Sequence, residues 1–130
     1  MDPIKLLELM STSGKLKETL RHCWLSSGRQ ESVAEHCWRA ALMAYFMKDE
    51  FPDVDMDKVI RMILIHDLGE CFTGDVPVFN KTEEHEEKEK KLLYGWVKTL
   101  PEDFSKEMMS LYEEMEKLET KEARIFKAID

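Results

Sequence analysis

Asp57-Lys58-Val59-Ile60-Arg61-Met62-Ile63-Leu64-Ile65-His66-Asp67-Leu68-Gly69-Glu70 is the stretch that decides the fold class. Val59, Met62, Ile63 and His66 stand at i, i+3, i+4 and i+7, which is one face of an α-helix. Asp55 or Asp57 opens this helix, and it ends near His66 and Asp67. The same period recurs on both sides. A first helix is expected over residues 3–10, with Pro3 in its first turn, and Ser11-Thr12-Ser13-Gly14 interrupts it. Residues 15–23 read as helical or irregular, and Ser26-Ser27-Gly28-Arg29 as a loop. Ser32, with Glu35 three residues on, forms a capping box for a helix whose core face is expected to hold Val33, His36, Ala40, Met43 and Met47.

Gly69, Gly74 and Pro77 mark a loop over residues 69–81. Thr82 opens the next helix, which carries Leu92, Leu93, Trp96, Val97 and Leu100. Pro101 opens another, with Phe104, Met108, Leu111, Met115 and Leu118 as its core stripe. Thr120 caps a last helix with Ala123, Phe126 and Asp130 on one side. No sustained period-2 alternation occurs, so strands are not expected. These signals predict an all-α helical bundle forming a single domain over residues 1–130.

Composition narrows the function. The 130 residues are 43% hydrophobic and 35% charged, which suits a helix-rich globule. The net charge of −8 argues against a broad surface for nucleic-acid polymers or anionic membranes. A small anionic substrate stays open, because a metal and one or two cationic side chains reverse the local sign. The three cysteines, Cys23, Cys37 and Cys71, form no CxxC pair and read as free thiols of a reducing, cytoplasmic protein. No apolar run of 18 or more residues and no signal-peptide pattern is present.

His66 and Asp67 close the apolar run of the deciding stretch. An imidazole and a carboxylate in such a place need a partner or must be neutralised. A divalent cation accepts both. His36 and Asp130 are two further candidate ligands. For His36 alone, a hydrogen-bonded core histidine is the plain alternative. As a chain end Asp130 would lie in a frayed turn, so the natural protein is expected to continue past it. Glu70 follows His66 by four residues and shares its face if the helix carries on. Asp75 lies between two breakers. Both acids read either as solvated loop carboxylates or as groups that orient water, move protons or bind a second metal. The run from Glu83 to Lys91 is read as a solvated helix face, so His85 is not taken as a ligand.

His36, then His66-Asp67, then Asp130, resembles the H…HD…D signature of the HD-domain metal-dependent phosphohydrolases. Glu31-Ser32-Val33-Ala34-Glu35-His36 with Arg39, and His66-Asp67-Leu68-Gly69-Glu70 before Gly74-Asp75, resemble the 5′-deoxynucleotidase branch of that superfamily. The resemblance runs over nearly the whole chain. It implies an HD-domain helical bundle with a divalent metal on His36, His66, Asp67 and Asp130. It implies hydrolysis of nucleoside 5′-monophosphates, with Glu70 and Asp75 needed for activity, and a homodimer. Arg21 matches the substrate-contacting arginine of the family best, and Trp24 its neighbouring aromatic. Family chains also run on past the residue matching Asp130 for at least another helix, which this chain lacks. The metal is left open among Mn, Co, Fe, Ni, Zn and Mg. Two alternatives stand beside this reading. One is a non-catalytic, metal-containing HD module that binds or senses a nucleotide. The other is an HD phosphodiesterase acting on a different phosphoester.

Overall fold

The computed structural model describes residues 1–74 and 80–130. Helix α1 (Pro3–Ser13) starts with Asp2 accepting from the Ile4 N–H and continues past the expected break at Ser11. Ser13 explains the extension: its hydroxyl donates back to the Leu9 carbonyl at 2.6 Å, a bond that suits a last helical turn. A 3-10 turn (Gly14–Lys17) follows and buries Leu16.

Next comes a departure from the expected all-helical pattern. Strands β1 (Leu20–Trp24) and β2 (Gln30–Ser32) form a two-stranded antiparallel hairpin, with Leu20 opposite Ser32 and Trp24 opposite Gln30. Its turn is closed by the Leu25 N–H on the Arg29 carbonyl, and Gly28 takes a φ of 89° that favours glycine. The register slips between the two pairs, and β1 lies mostly exposed. A strand of this kind leaves no alternating apolar pattern, which is why the sequence did not betray it.

Helix α2 (Val33–Phe46) begins at the capping box of Ser32 and Glu35. Its buried stripe is Val33, Cys37, Ala40 and Ala44, rotated from the expected one. Met43 is exposed, and His36 faces the site described below. The small side chains at 37, 40 and 44 let α2 lie close against α3 (Met56–His66), whose Val59, Met62 and Ile63 are fully enclosed. Asp55 caps α3 through the Lys58 N–H.

The helix does not carry on to Glu70. Asp67 is its C-cap, with φ −101° and ψ 10°, and after one turn a short helix α4 (Glu70–Thr73) starts afresh. The chain then enters α5 (Glu83–Val97), capped by Thr82 with His85 returning to the Thr82 N–H, so His85 serves the cap. Helix α6 (Glu102–Lys117) buries Leu111, Tyr112 and Met115, whereas Phe104 at its start is half exposed. Leu118 leaves the expected stripe: it takes a left-handed φ of 54° as the C-cap. Helix α7 (Lys121–Ile129), capped by Thr120, buries Ala123 and Phe126. Helix α3 is the central element, packed by α2, α6 and α7. The fold is all-α apart from the hairpin. Among the described residues no helix is long and apolar enough to cross a membrane.

Candidate metal centre

Three helix termini meet at one point. His36 sits in the first turn of α2, held by the capping box in which the Glu35 N–H donates to Ser32 Oγ at 3.2 Å and the Ser32 N–H to Glu35 Oε1 at 3.0 Å. Arg29 grips both Glu35 oxygens at 2.8 Å, and with the Ser32 bonds it lowers that carboxyl to about 2. His66 is the last residue of α3, Asp67 its cap, and Asp130 follows α7.

One donor atom from each of His36, His66, Asp67 and Asp130 lies within 4.8 Å of the others. His66 Nε2 is 2.9 Å from Asp130 Oδ1 and 3.0 Å from Asp67 Oδ2. His36 Nε2 is 2.9 Å from the same Asp130 oxygen. The two imidazoles meet edge to face at 5.5 Å, and Phe126 packs edge-on against His66 at 5.2 Å.

The remaining nitrogen of His66 settles its tautomer. Nδ1 is 2.5 Å from the Ile63 carbonyl, which can only accept, so Nδ1 carries the proton. In the neutral ring the Nε2 lone pair then points at two carboxylate oxygens. That arrangement needs a positive charge in the middle, either a proton or a cation. With a proton there, burial lowers the His66 pKa, but hydrogen bonds with Asp130, Asp67 and Cys37 outweigh it and raise the group to about 12. His36 and His66 in turn hold the Asp130 carboxyl well below the usual range. Two imidazole nitrogens and two carboxylate oxygens, with the second nitrogen of His66 bonded to a carbonyl, make a chemically fitting set for a divalent cation.

Among the described residues, cavities border the cluster on two sides. One, of about 270 Å³, is lined by Arg21, Glu31, His36, Arg39, Met43 and Asp130, among others. The other, of about 390 Å³, includes His66, Glu89, Tyr94, Tyr112, Phe126 and Asp130. Arg21, on β1, donates to Glu31 of β2 at 2.5 Å. Burial opposes its charge, and Glu31 with the field of Asp67 sustains it.

Glu70 is buried at the start of α4, its N–H bonded to the Asp67 carbonyl at 3.0 Å. Trp24 ends β1 at 69% exposure and lines neither cavity. Asp75 lies outside the described residues. Three residues not singled out as site residues in the sequence stand beside the cluster: Arg39, Glu31 and Glu89. Arg39 had a local signal, its i+3 spacing from His36 on one helix face. Glu89 had none, because it sits in a charge run and reaches α4 only through the fold, accepting from Thr73 Oγ1 at 2.9 Å.

Comparison with known proteins agrees with this architecture. The family model described as HD domain matches residues 13–130. The chain is 36% identical over 129 residues to the bovine (Bos taurus) 5′-deoxynucleotidase HDDC2 and likewise to the human protein of that name, covering 96% of this chain. It spans 62% of the length of each of these relatives. A crystal structure from Magnetospirillum magnetotacticum, described as a predicted metal-dependent phosphohydrolase, superposes with a TM-score of 0.81 at 35% identity. That superposition covers 99% of this chain and 69% of the other. With its three helix ends joined at His36, His66-Asp67 and Asp130, the chain belongs to the HD domain family.

Proposed function

We propose that this protein is a metal-dependent phosphohydrolase that removes phosphate from nucleoside 5′-monophosphates, deoxynucleotides included. The observation that carries the reading is the four-donor cluster facing a cavity lined by two arginines, Arg21 and Arg39. The names of the relatives support the substrate class, and the HD domain match supports treating the chain as one domain.

His36, His66, Asp67 and Asp130 would hold the divalent cation, and such a mixed nitrogen and oxygen set accepts Mn, Co, Fe, Ni, Zn or Mg. When bound, that ion supplies a Lewis acid that offsets phosphate charge and acidifies water. The protein side chains divide the remaining tasks. Arg21, kept in place by Glu31, presents a guanidinium whose fork matches phosphate oxygens. Glu70, buried one turn from Asp67, orients the attacking water or hands a proton to the leaving 5′ oxygen as the P–O bond breaks. Asp75 shares that role on sequence grounds. Trp24, exposed on the hairpin, is a stacking surface for sugar or base.

The deciding experiment is phosphate release from deoxynucleoside and ribonucleoside 5′-monophosphates, with metal-free protein and with each divalent metal restored. Release that needs metal and disappears in both His66→Ala and Glu70→Gln supports the proposal. A folded, metal-loaded protein that releases nothing refutes it and leaves a nucleotide-binding module. We further propose a cytoplasmic homodimer. All three cysteines are free, as a reducing compartment demands, and Ile4, Leu7, Trp38 and Phe46 expose apolar surface for a partner copy. Light scattering that gives a monomer mass would overturn the dimer.

A further inference from the structure

We propose that Arg39 is a second anion-binding side chain of this site, and that the cavity it shares with Arg21 receives the phosphoryl group. The inference rests on the phosphohydrolase reading for the identity of the anion, though not for its charge.

The helix itself supplies the first argument. Glu35 and Arg39 stand at i and i+4, acid before base, the order that favours an ion pair along a helix. That pair does not form. Arg29, from the hairpin turn, takes both Glu35 oxygens at 2.8 Å. Among the described residues no carboxylate lies within ion-pair distance of Arg39, an exposed side chain. The neighbour that would have neutralised it is committed elsewhere.

Placement supplies the second. His36, Arg39, Ala40 and Met43 are one face of α2, and that face is one wall of the cavity of about 270 Å³. Arg21 and Glu31 come from the hairpin and Asp130 from the end of α7. Arg39, one turn along from His36, therefore lines the space beside the proposed metal ligands.

The two arginines are not equivalent. Arg21 is partly buried and its guanidinium is 2.5 Å from Glu31, so its charge is already paired before any ligand arrives. Arg39 can turn onto an incoming phosphate without breaking an ion pair among the described residues. A phosphate monoester brings two negative charges, and it enters a cavity where Glu31 and Asp130 are also present. A divalent cation there would be balanced by Asp67 and Asp130, and Arg21 is already shared with Glu31, so such a dianion is left under-compensated. Arg39 supplies the missing positive charge.

The test compares unsubstituted protein with Arg39→Gln and Arg39→Lys at saturating metal. Inorganic phosphate is titrated by calorimetry, and KM and kcat are measured for a deoxynucleoside 5′-monophosphate. Arg39→Gln should weaken phosphate binding and raise KM by about ten- to hundredfold, the range for a charge-assisted contact. Metal affinity and melting temperature should stay unchanged. Arg39→Lys should fall in between, keeping charge but losing the fork. Unaltered phosphate binding in Arg39→Gln overturns the proposal, as does a loss of phosphate binding that merely follows lost metal affinity. Arg39-dependent phosphate binding in a protein that turns over no nucleotide would keep the anion site and remove the activity reading. Nucleotide turnover indifferent to Arg39 would do the reverse.

Discussion

His66 has its two ring nitrogens committed in opposite directions. Nδ1–H is fixed by its own helix through the Ile63 carbonyl, and Nε2 faces two carboxylates from other parts of the fold. This makes the metal-free protein sensitive to pH in a defined sense. His66 is raised from 6.5 to about 12 in the folded state, so its contribution is complete below pH 6.5 and drains away as pH climbs above it. Asp130 is lowered from 3.8, so its contribution is present above that value and is lost as pH falls below it. Metal-free protein should accordingly be most stable between those two values. Thermal melts from pH 3 to pH 9 check this, and a His66→Gln variant should lose the alkaline slope. The cation must displace the same proton, so apparent metal affinity should rise with pH. Calorimetry in buffers of different ionisation enthalpy should read proton release on binding, and none would sink the shared-position argument.

Element ends, more than element middles, build this site. The α2 N-terminus is pinned by Ser32, which is almost fully buried and bonded to Glu35. Ser32→Ala should cost about 1 kcal/mol, the usual value of an N-cap. It should also loosen His36 in the following turn, so metal affinity should drop with stability; equal affinity at lowered stability would show that the cap does not serve the site. Gly69 shows a second kind of control. Its φ of −58° is open to any residue, so conformation is not the reason for glycine. An added Cβ would stand 2.7 Å from Glu89 Cγ, where α5 crosses the start of α4. Gly69→Ala should cost roughly 1–3 kcal/mol by overpacking. The cost should shrink in a Glu89→Ala background, and a denaturation-based double-mutant cycle measures the difference. Most of the elements were legible in the sequence, because caps at Ser32, Thr82 and Thr120, an acid at 55 or 57, and a 3.6-residue period are local signals. The hairpin and the rotated stripe of α2 were not. The hairpin exposes most of β1, and α2 buries Cys37 and Ala44 rather than His36 and Met43 because close approach of α3 rewards small side chains.

At the scale of the whole molecule, the proposed centre ties α2, α3 and α7 together at the edge of the core. Tyr112 braces the same region from α6, its hydroxyl donating to the Ile65 carbonyl at 2.8 Å. A cation at this junction binds only the folded chain and should stabilise it by mass action. At a hundredfold excess over its dissociation constant the gain is about 2.7 kcal/mol, or roughly 5–15 °C in melting temperature for a chain of this size. Differential scanning fluorimetry with and without chelator checks this. His66→Ala should abolish the rise, and a rise that survives in that variant would place the cation elsewhere. The sequence by itself determined the helical class and the caps, since these depend on residue type and near-neighbour spacing, and its resemblance to the HD-domain signature offered His36, His66, Asp67 and Asp130 as candidate ligands. Only the tertiary structure decided that α7 returns Asp130 to within 2.9 Å of both histidines, that Arg29 takes the acid Arg39 would have paired with, and that Glu89 supports α4. Those contacts join residues far apart along the chain or on different elements, and no local periodicity encodes which helix ends will meet.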